Sequence, residues 1–108
     1  MRELRAGSIR PQESIDLHGF TREGAYRRLC NATARARSNG KRCVVVIHGK
    51  GQRSEDGVAV LRDALDDWLQ RVPLVEHVIG SCRAQPRDGG TGATYLLLRA
   101  PGEKKPAK

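Results

Sequence analysis

Hydrophobic and polar positions along the chain fall into six segments. In "SIDLHGF" (14–20), Ile15 and Leu17 alternate with Asp16 and His18, the two-residue period of a short strand. Thr21 is suited to cap a following helix and Gly40 to close it. Between them Ala25, Leu29, Ala32 and Ala36 form a narrow apolar stripe, with Arg22, Arg27, Arg28, Arg35 and Arg37 over much of the remaining surface. "CVVVIH" (43–48) is a continuous, mostly β-branched run, the pattern of a central strand covered on both faces. After a glycine loop, Ser54 or Asp56 can cap a second helix, whose Val58, Leu61, Leu65 and Trp68 mark a wider apolar face. Trp68 reads as a core anchor rather than a ligand stacker. Pro73 then breaks the chain. "VEHVIGSC" (75–82) reads as a third strand, "RAQPRDGGTG" (83–92) as a long loop and "ATYLLLRA" (93–100) as a fourth strand.

The order βαβαββ predicts an α/β two-layer sandwich, a four-stranded mixed sheet with two helices. Each helical crossover should join parallel strands with right-handed connection. The third and fourth strands, joined directly, should be antiparallel. Residues 1–13 read as a basic N-terminal arm or linker, 14–100 as one domain and 101–108 as a basic, flexible tail. In this topology the ends of the first two strands and the 83–92 loop meet along one sheet rim, where open α/β sheets usually bind ligands.

Charge sharpens the picture. The chain has 108 residues, a formal net charge of +8 and a pI near 10.1. That balance favours polyanionic partners: nucleic acid, ribosomal RNA or an anionic surface. Aromatic content of 4% gives little support to recognition by bases stacked on an aromatic platform. Cys30, Cys43 and Cys82 are odd in number, widely spaced and without zinc-ligand spacing, so no dedicated metal site is expected. Cys43 and Cys82 read as small buried hydrophobes, which points to a reducing, cytoplasmic compartment. No apolar run approaches membrane-spanning length, so no membrane partner is expected, and a monomer is.

Three segments carry candidate chemistry. Asp16 and His18 lie two apart on a strand, so they leave the same face. There the carboxylate can orient the imidazole and stabilise its protonated form. In His48-Gly49-Lys50-Gly51 the glycines let backbone N–H groups approach a ligand, and Lys50 adds a point charge suited to phosphate. The spacing is not that of a Walker loop. Arg87, Gly89, Gly90, Thr91 and Gly92 can form a backbone nest for phosphate. Each segment alone reads equally well as a strand end or a loop tip. Their joint placement on one rim of a basic chain points to a phosphate-handling site.

"DLHG" (16–19), "HGKG" (48–51) and "DGGTGATYLLLR" (88–99), in this order, resemble the Smr (small MutS-related) domain, over roughly residues 14–100. The likeness is to stand-alone proteobacterial members, whose N-terminal extension is nearly absent here. It implies a fold similar to the C-terminal domain of translation initiation factor three. It also implies endonuclease activity on DNA or RNA, including mRNA at stalled ribosomes. The family's DLH motif falls on Asp16, Leu17 and His18, and its HGxG motif on His48 to Gly51. With the basic surface, this sets an expectation of phosphodiester cleavage, RNA ahead of DNA. His18, oriented by Asp16, would be the base and His48 the acid or second base. Lys50 with the amides of Gly49 and Gly51 would face the developing phosphorane charge. A divalent cation such as Mg on Asp16 is the alternative chemistry. A non-catalytic module that binds RNA or the ribosome is the alternative function.

Overall fold

The computed structural model describes residues 10–49 and 56–104, without the side chains of residues 56–60 and 91. Its elements are β1 (Glu13–Asp16), α1 (Arg22–Ser38), β2 (Cys43–Ile47), α2 (Asp56–Trp68), α3 (Leu74–His77), β3 (Val78–Arg83) and β4 (Ala93–Leu98). The sheet order is β1-β2-β4-β3. β1 pairs parallel to β2, and β4 pairs antiparallel to both β2 and β3. Hence β1, β2 and β3 run one way, as two helical crossovers require, and β4 returns between β2 and β3. This is the expected mixed sheet.

Two boundaries differ from the periodicity reading. β1 stops at Asp16, because the backbone turns at Leu17 instead of continuing to Phe20. The stretch from residue 74 begins as a third, short helix and becomes a strand only at Val78. Pro73, at φ −91°, starts the coil in the helical region, and its carbonyl accepts the Glu76 N–H. Apolar alternation alone does not register a single turn of this kind.

Helix α1 is bounded by its caps. The Thr21 hydroxyl accepts the Gly24 N–H at 3.1 Å. At the other end Lys41 N–H bonds Ala36 C=O and Gly40 N–H bonds Arg37 C=O, with Gly40 at φ +84°. That crossed pair is the Schellman closure, which needs a left-handed residue at Gly40. The buried stripe of α1 is Ala25, Leu29, Thr33 and Ala36; Ala32 is only half-buried, so the stripe runs through Thr33 instead.

Both faces of β2 are covered. Val44 and Val46 join Ile15, Leu96 and Leu98 in packing against Leu29, Leu65, Trp68 and Leu74 from the helical layer. Full burial of such aliphatic side chains stabilises by about 1.5–3 kcal/mol each. Trp68 is a core residue, with Tyr26 tilted against it at 5.1 Å between centroids. On the opposite face Cys43, Val45, Ala93 and Tyr95 form a smaller cluster. The 84–92 connection folds against it: the Tyr95 hydroxyl donates to Asp88 at 2.5 Å and accepts the Gln85 N–H at 3.1 Å. All three cysteines are free thiols; burial pushes the Cys43 thiol up to about 11, and Cys82 is half-buried. No helix among the described residues is long and apolar enough to cross a membrane.

Candidate active site at the sheet rim

The end of β1 is shaped by backbone hydrogen bonding. Leu17 N–H still reaches Ile47 C=O at 2.8 Å, which holds the exit of β1 against the exit of β2. Leu17 itself is fully buried, so this point cannot swing away. The chain then reverses: Phe20 N–H bonds Leu17 C=O at 3.1 Å, with Gly19 at φ +88°, a region only glycine enters freely. His18 sits at the tip of this turn, and its side chain is exposed.

Asp16 does not orient the His18 ring, as a continued strand would have required. Its Oδ1 accepts the backbone N–H of His18 at 2.9 Å. This local side chain-to-backbone bond is an Asx turn, the habit of Asp after an extended residue. The carboxylate thus fixes the shape of the turn that presents the imidazole. Arg28 of α1 braces the same point by donating from Nε to the Asp16 carbonyl at 2.9 Å.

His48 stands directly after β2, at the strand end, but its side chain is packed inside the molecule. It is 1% exposed. Nδ1 lies 2.9 Å from the Gly49 carbonyl and Nε2 lies 3.1 Å from Thr94 Oγ1. A carbonyl only accepts, so Nδ1 carries the proton, and Nε2 accepts from the threonine hydroxyl. Burial lowers the pKa of His48 and outweighs the opposing hydrogen bond to the Gly49 carbonyl; Arg62 lowers it and Asp66 raises it by less. The ring is therefore a neutral imidazole with both nitrogens engaged.

The strand alternation explains the split between the two histidines. Val44 and Val46 face the helices, so His48 does too, beside Thr94, which precedes the helix-facing Leu96 and Leu98. Asp16 is paired with Ile47, on the other face. His48 lies at the floor of a cleft of about 370 Å³ between α2 and the ends of β3 and β4, whose walls include Arg62, Asp66, Arg83 and Thr94.

The loop from Gln85 to Gly92 is closed on itself. Gly89 N–H bonds Pro86 C=O, Gly90 N–H bonds Gln85 C=O, and Gly92 N–H bonds Gly89 C=O. The nest anticipated at Gly89, Gly90 and Gly92 therefore has these amides turned to its own carbonyls. Gly89 is at φ +121°, and a Cβ there would lie 2.7 Å from the Ala93 methyl, so the position requires glycine. The Gly92 carbonyl in turn accepts the N–H groups of both His48 and Gly49, at 3.0 Å each. Arg87 pairs with Asp88 at 3.5 Å. Lys50 and Gly51, the loop cation and second loop glycine of the sequence reading, lie outside the described residues, as do the Thr91 side chain and the proposed cap at Ser54. Among the described residues no three His, Cys, Asp or Glu side chains gather as a metal-binding set.

A sequence profile of the Smr domain matches residues 15–99, from the β1 residue Ile15 to the residue after β4. The chain belongs to the Smr family. It is 30% identical over 103 residues to the Escherichia coli (strain K12) protein named "Probable DNA endonuclease SmrA", covering 95% of this chain and 54% of the relative. It is 32% identical over 100 residues to the "Ribosome rescue factor SmrB" of Serratia proteamaculans (strain 568), covering 91% of this chain and 51% of that one. The chain thus spans about half the length of these curated relatives. Its fold is similar to the crystal structure of YdaL, a stand-alone small MutS-related protein from Escherichia coli. There the TM-score is 0.71 and the identity 30%, over 86% of this chain and 70% of that chain.

Within this Smr domain the sequence-derived residues converge on one rim, but in two layers. Asp16 and His18 form an exposed turn; His48, Gly49 and Gly92 form a hydrogen-bonded seam beneath and beside it. Sequence reasoning missed Thr94, Arg62, Asp66 and Arg83. Thr94 carried a signal, being the polar residue within the apolar "ATYLLL" strand. Arg62 and Asp66 stand at i and i+4 on α2, a spacing equally common on plain solvated helices.

Proposed function

We propose that this Smr domain cleaves phosphodiester bonds in nucleic acid, with RNA ahead of DNA, and that His18 is its proton-transfer group. The observation that carries the reading is the turn itself. An exposed imidazole stands at the apex of a turn locked by the Asp16 carboxylate, the Gly19 backbone and the Arg28 guanidinium, on a basic chain. In RNA cleavage His18 would take the proton of a 2′-hydroxyl as its oxygen attacks phosphorus. The bond to the 5′-oxygen breaks, and that leaving oxygen takes a proton from a second acid or from water. Asp16 acts as a positioning residue through the His18 backbone. His48, neutral and buried, acts through the loop that it ties to β4, not as the acid. Lys50 with the Gly49 and Gly51 amides remains the group proposed to meet phosphorane charge. The name of one relative, a probable DNA endonuclease, supports phosphodiester cleavage but not the preference for RNA; the name of the other, a ribosome rescue factor, supports an RNA setting. The second name also supports a purely RNA- or ribosome-binding module.

The test is turnover. Matched single-stranded RNA, single-stranded DNA and supercoiled plasmid are each incubated with the protein, with and without a chelator. Cleavage of RNA that is lost in His18→Ala, with binding retained, supports the enzyme. Binding without cleavage of any substrate sinks it in favour of the binding module. Loss of cleavage on chelation places a divalent cation in the reaction, Asp16 being the carboxylate proposed for it.

A further inference from the structure

Phe20 is the chain's one phenylalanine, and it is 43% exposed although neither hydrophobic cluster includes it. The ring lies beside Gly24 at the start of α1, outside both buried clusters of the described residues. Its surroundings are specific. The Arg28 guanidinium carbon sits 5.6 Å from the ring centroid, a cation–π placement. The same side chain bonds the Asp16 carbonyl, and the Phe20 N–H closes the His18 turn. Ring, guanidinium and proposed catalytic turn are therefore one connected unit. Beside it runs a shallow groove of about 250 Å³ lined also by Ser14, Asn31 and Arg35, in which two guanidinium groups stand against the single carboxylate of Glu13.

We infer that Phe20, held by Arg28, stacks a nucleobase of the bound strand, while Arg28 and Arg35 hold the adjoining phosphates. Every base has a flat π-face, so such a contact is tolerant of sequence, and it suits an unpaired strand whose bases are not already stacked. Because Phe20 is two residues from His18, the stacked base sets which phosphate reaches the imidazole. The occupant is a nucleobase rather than an apolar protein segment, since the groove is flanked by cations that complement a phosphodiester backbone. This assignment rests on the nucleic-acid reading above, which a single strand crossing the α1–β1 surface would extend.

The experiment measures binding, not cleavage, in the His18→Ala background. Fluorescence anisotropy follows a short single-stranded RNA, its DNA counterpart, the same strands carrying abasic positions, and an RNA duplex. Phe20→Ala and Phe20→Leu should each weaken single-strand binding roughly 5- to 100-fold, the range of one base–aromatic stack. Phe20→Trp should restore it. On the strand made abasic throughout, and on the duplex, the variants should bind like the parent. Thermal melts of all three variants should stay near that of the parent, because the ring is outside the core. Wild-type-like binding by Phe20→Leu, or an equal loss on the abasic strand, overturns the stacking assignment. Should the parent bind none of these strands, the nucleic-acid reading falls and takes this one with it. Phe20-dependent binding without cleavage by the unsubstituted protein leaves the stack standing and removes only the nuclease.

Discussion

Replacing His48 by alanine is expected to damage the fold first. The imidazole is 1% exposed, and it links the β2 exit to β4 through the Gly49 carbonyl and the Thr94 hydroxyl. Each lost hydrogen bond removes about 0.5–1.5 kcal/mol, and more where a buried partner is left unsatisfied. Truncating a buried aliphatic side chain to alanine costs about 2–5 kcal/mol through transfer and cavity terms together; a polar ring at a cleft floor belongs at or below the lower end. A total of about 2–4 kcal/mol follows. For a domain of this size that lowers the melting temperature by roughly 10–25 °C. Circular dichroism melts of wild type, His48→Ala and His48→Asn provide the measurement. Asparagine can return a donor to the Gly49 carbonyl but does not reach Thr94, so it should fall between the other two. A His48→Ala melt within about 2 °C of wild type, the size of an ordinary surface change, would refute the reasoning. RNA turnover per folded molecule, read on the same preparations, then tells whether the seam also governs rate.

The remaining expectations concern pH, the turn, salt and the glycine loop. Burial depresses the pKa of His48 and of His77, so the native state binds fewer protons than the unfolded chain; stability from both groups is present above about pH 6.5 and is lost as pH falls through their folded values. Melts between pH 8 and 5 should show that decline, and His48→Asn should flatten part of it; a melting temperature that rises on acidification contradicts it. Asp16→Asn keeps an acceptor for the His18 N–H and should retain most turnover, whereas Asp16→Ala should lose about 10²-fold; equal losses would mean that the carboxylate charge itself is required. Affinity for single-stranded RNA should drop at least about tenfold between 50 and 200 mM salt if three or more phosphates are contacted, and indifference to salt would end the backbone-binding view. Gly89→Ala should destabilise by about 1–3 kcal/mol or more, because its Cβ meets the Ala93 methyl at 2.7 Å, while Gly19→Ala, with open space around it, pays only for backbone strain; equal melts for the two would refute the steric account.

Much of the frame was legible in the chain itself. A run of four β-branched residues, Val44 to Ile47, has few places to go but the centre of a sheet, and β2 lies there. The Thr21 and Gly40 caps act through bonds within a few residues, so local chemistry decides them. Two helical crossovers force parallel strands, which is why the exits of β1 and β2 had to share a rim. The tertiary structure alone decided what the residues on that rim do. Alternation places Asp16 and His18 on one strand face, but the strand ends at Asp16 and the carboxylate turns to the backbone. Nothing local to the end of the apolar run tells whether the His48 ring is buried. It is buried on the helix-facing side of the sheet, where Thr94, 46 residues away and paired with Val46 on β4, satisfies its ring. Three glycines in the loop from Gln85 to Gly92 suit a ligand nest, yet Tyr95 and the loop's own carbonyls close it. A periodic pattern reports which side of an element meets the core. It carries no information on which distant polar atom completes a hydrogen bond, because that partner is chosen by strand order and register, and those exist only once the sheet has formed.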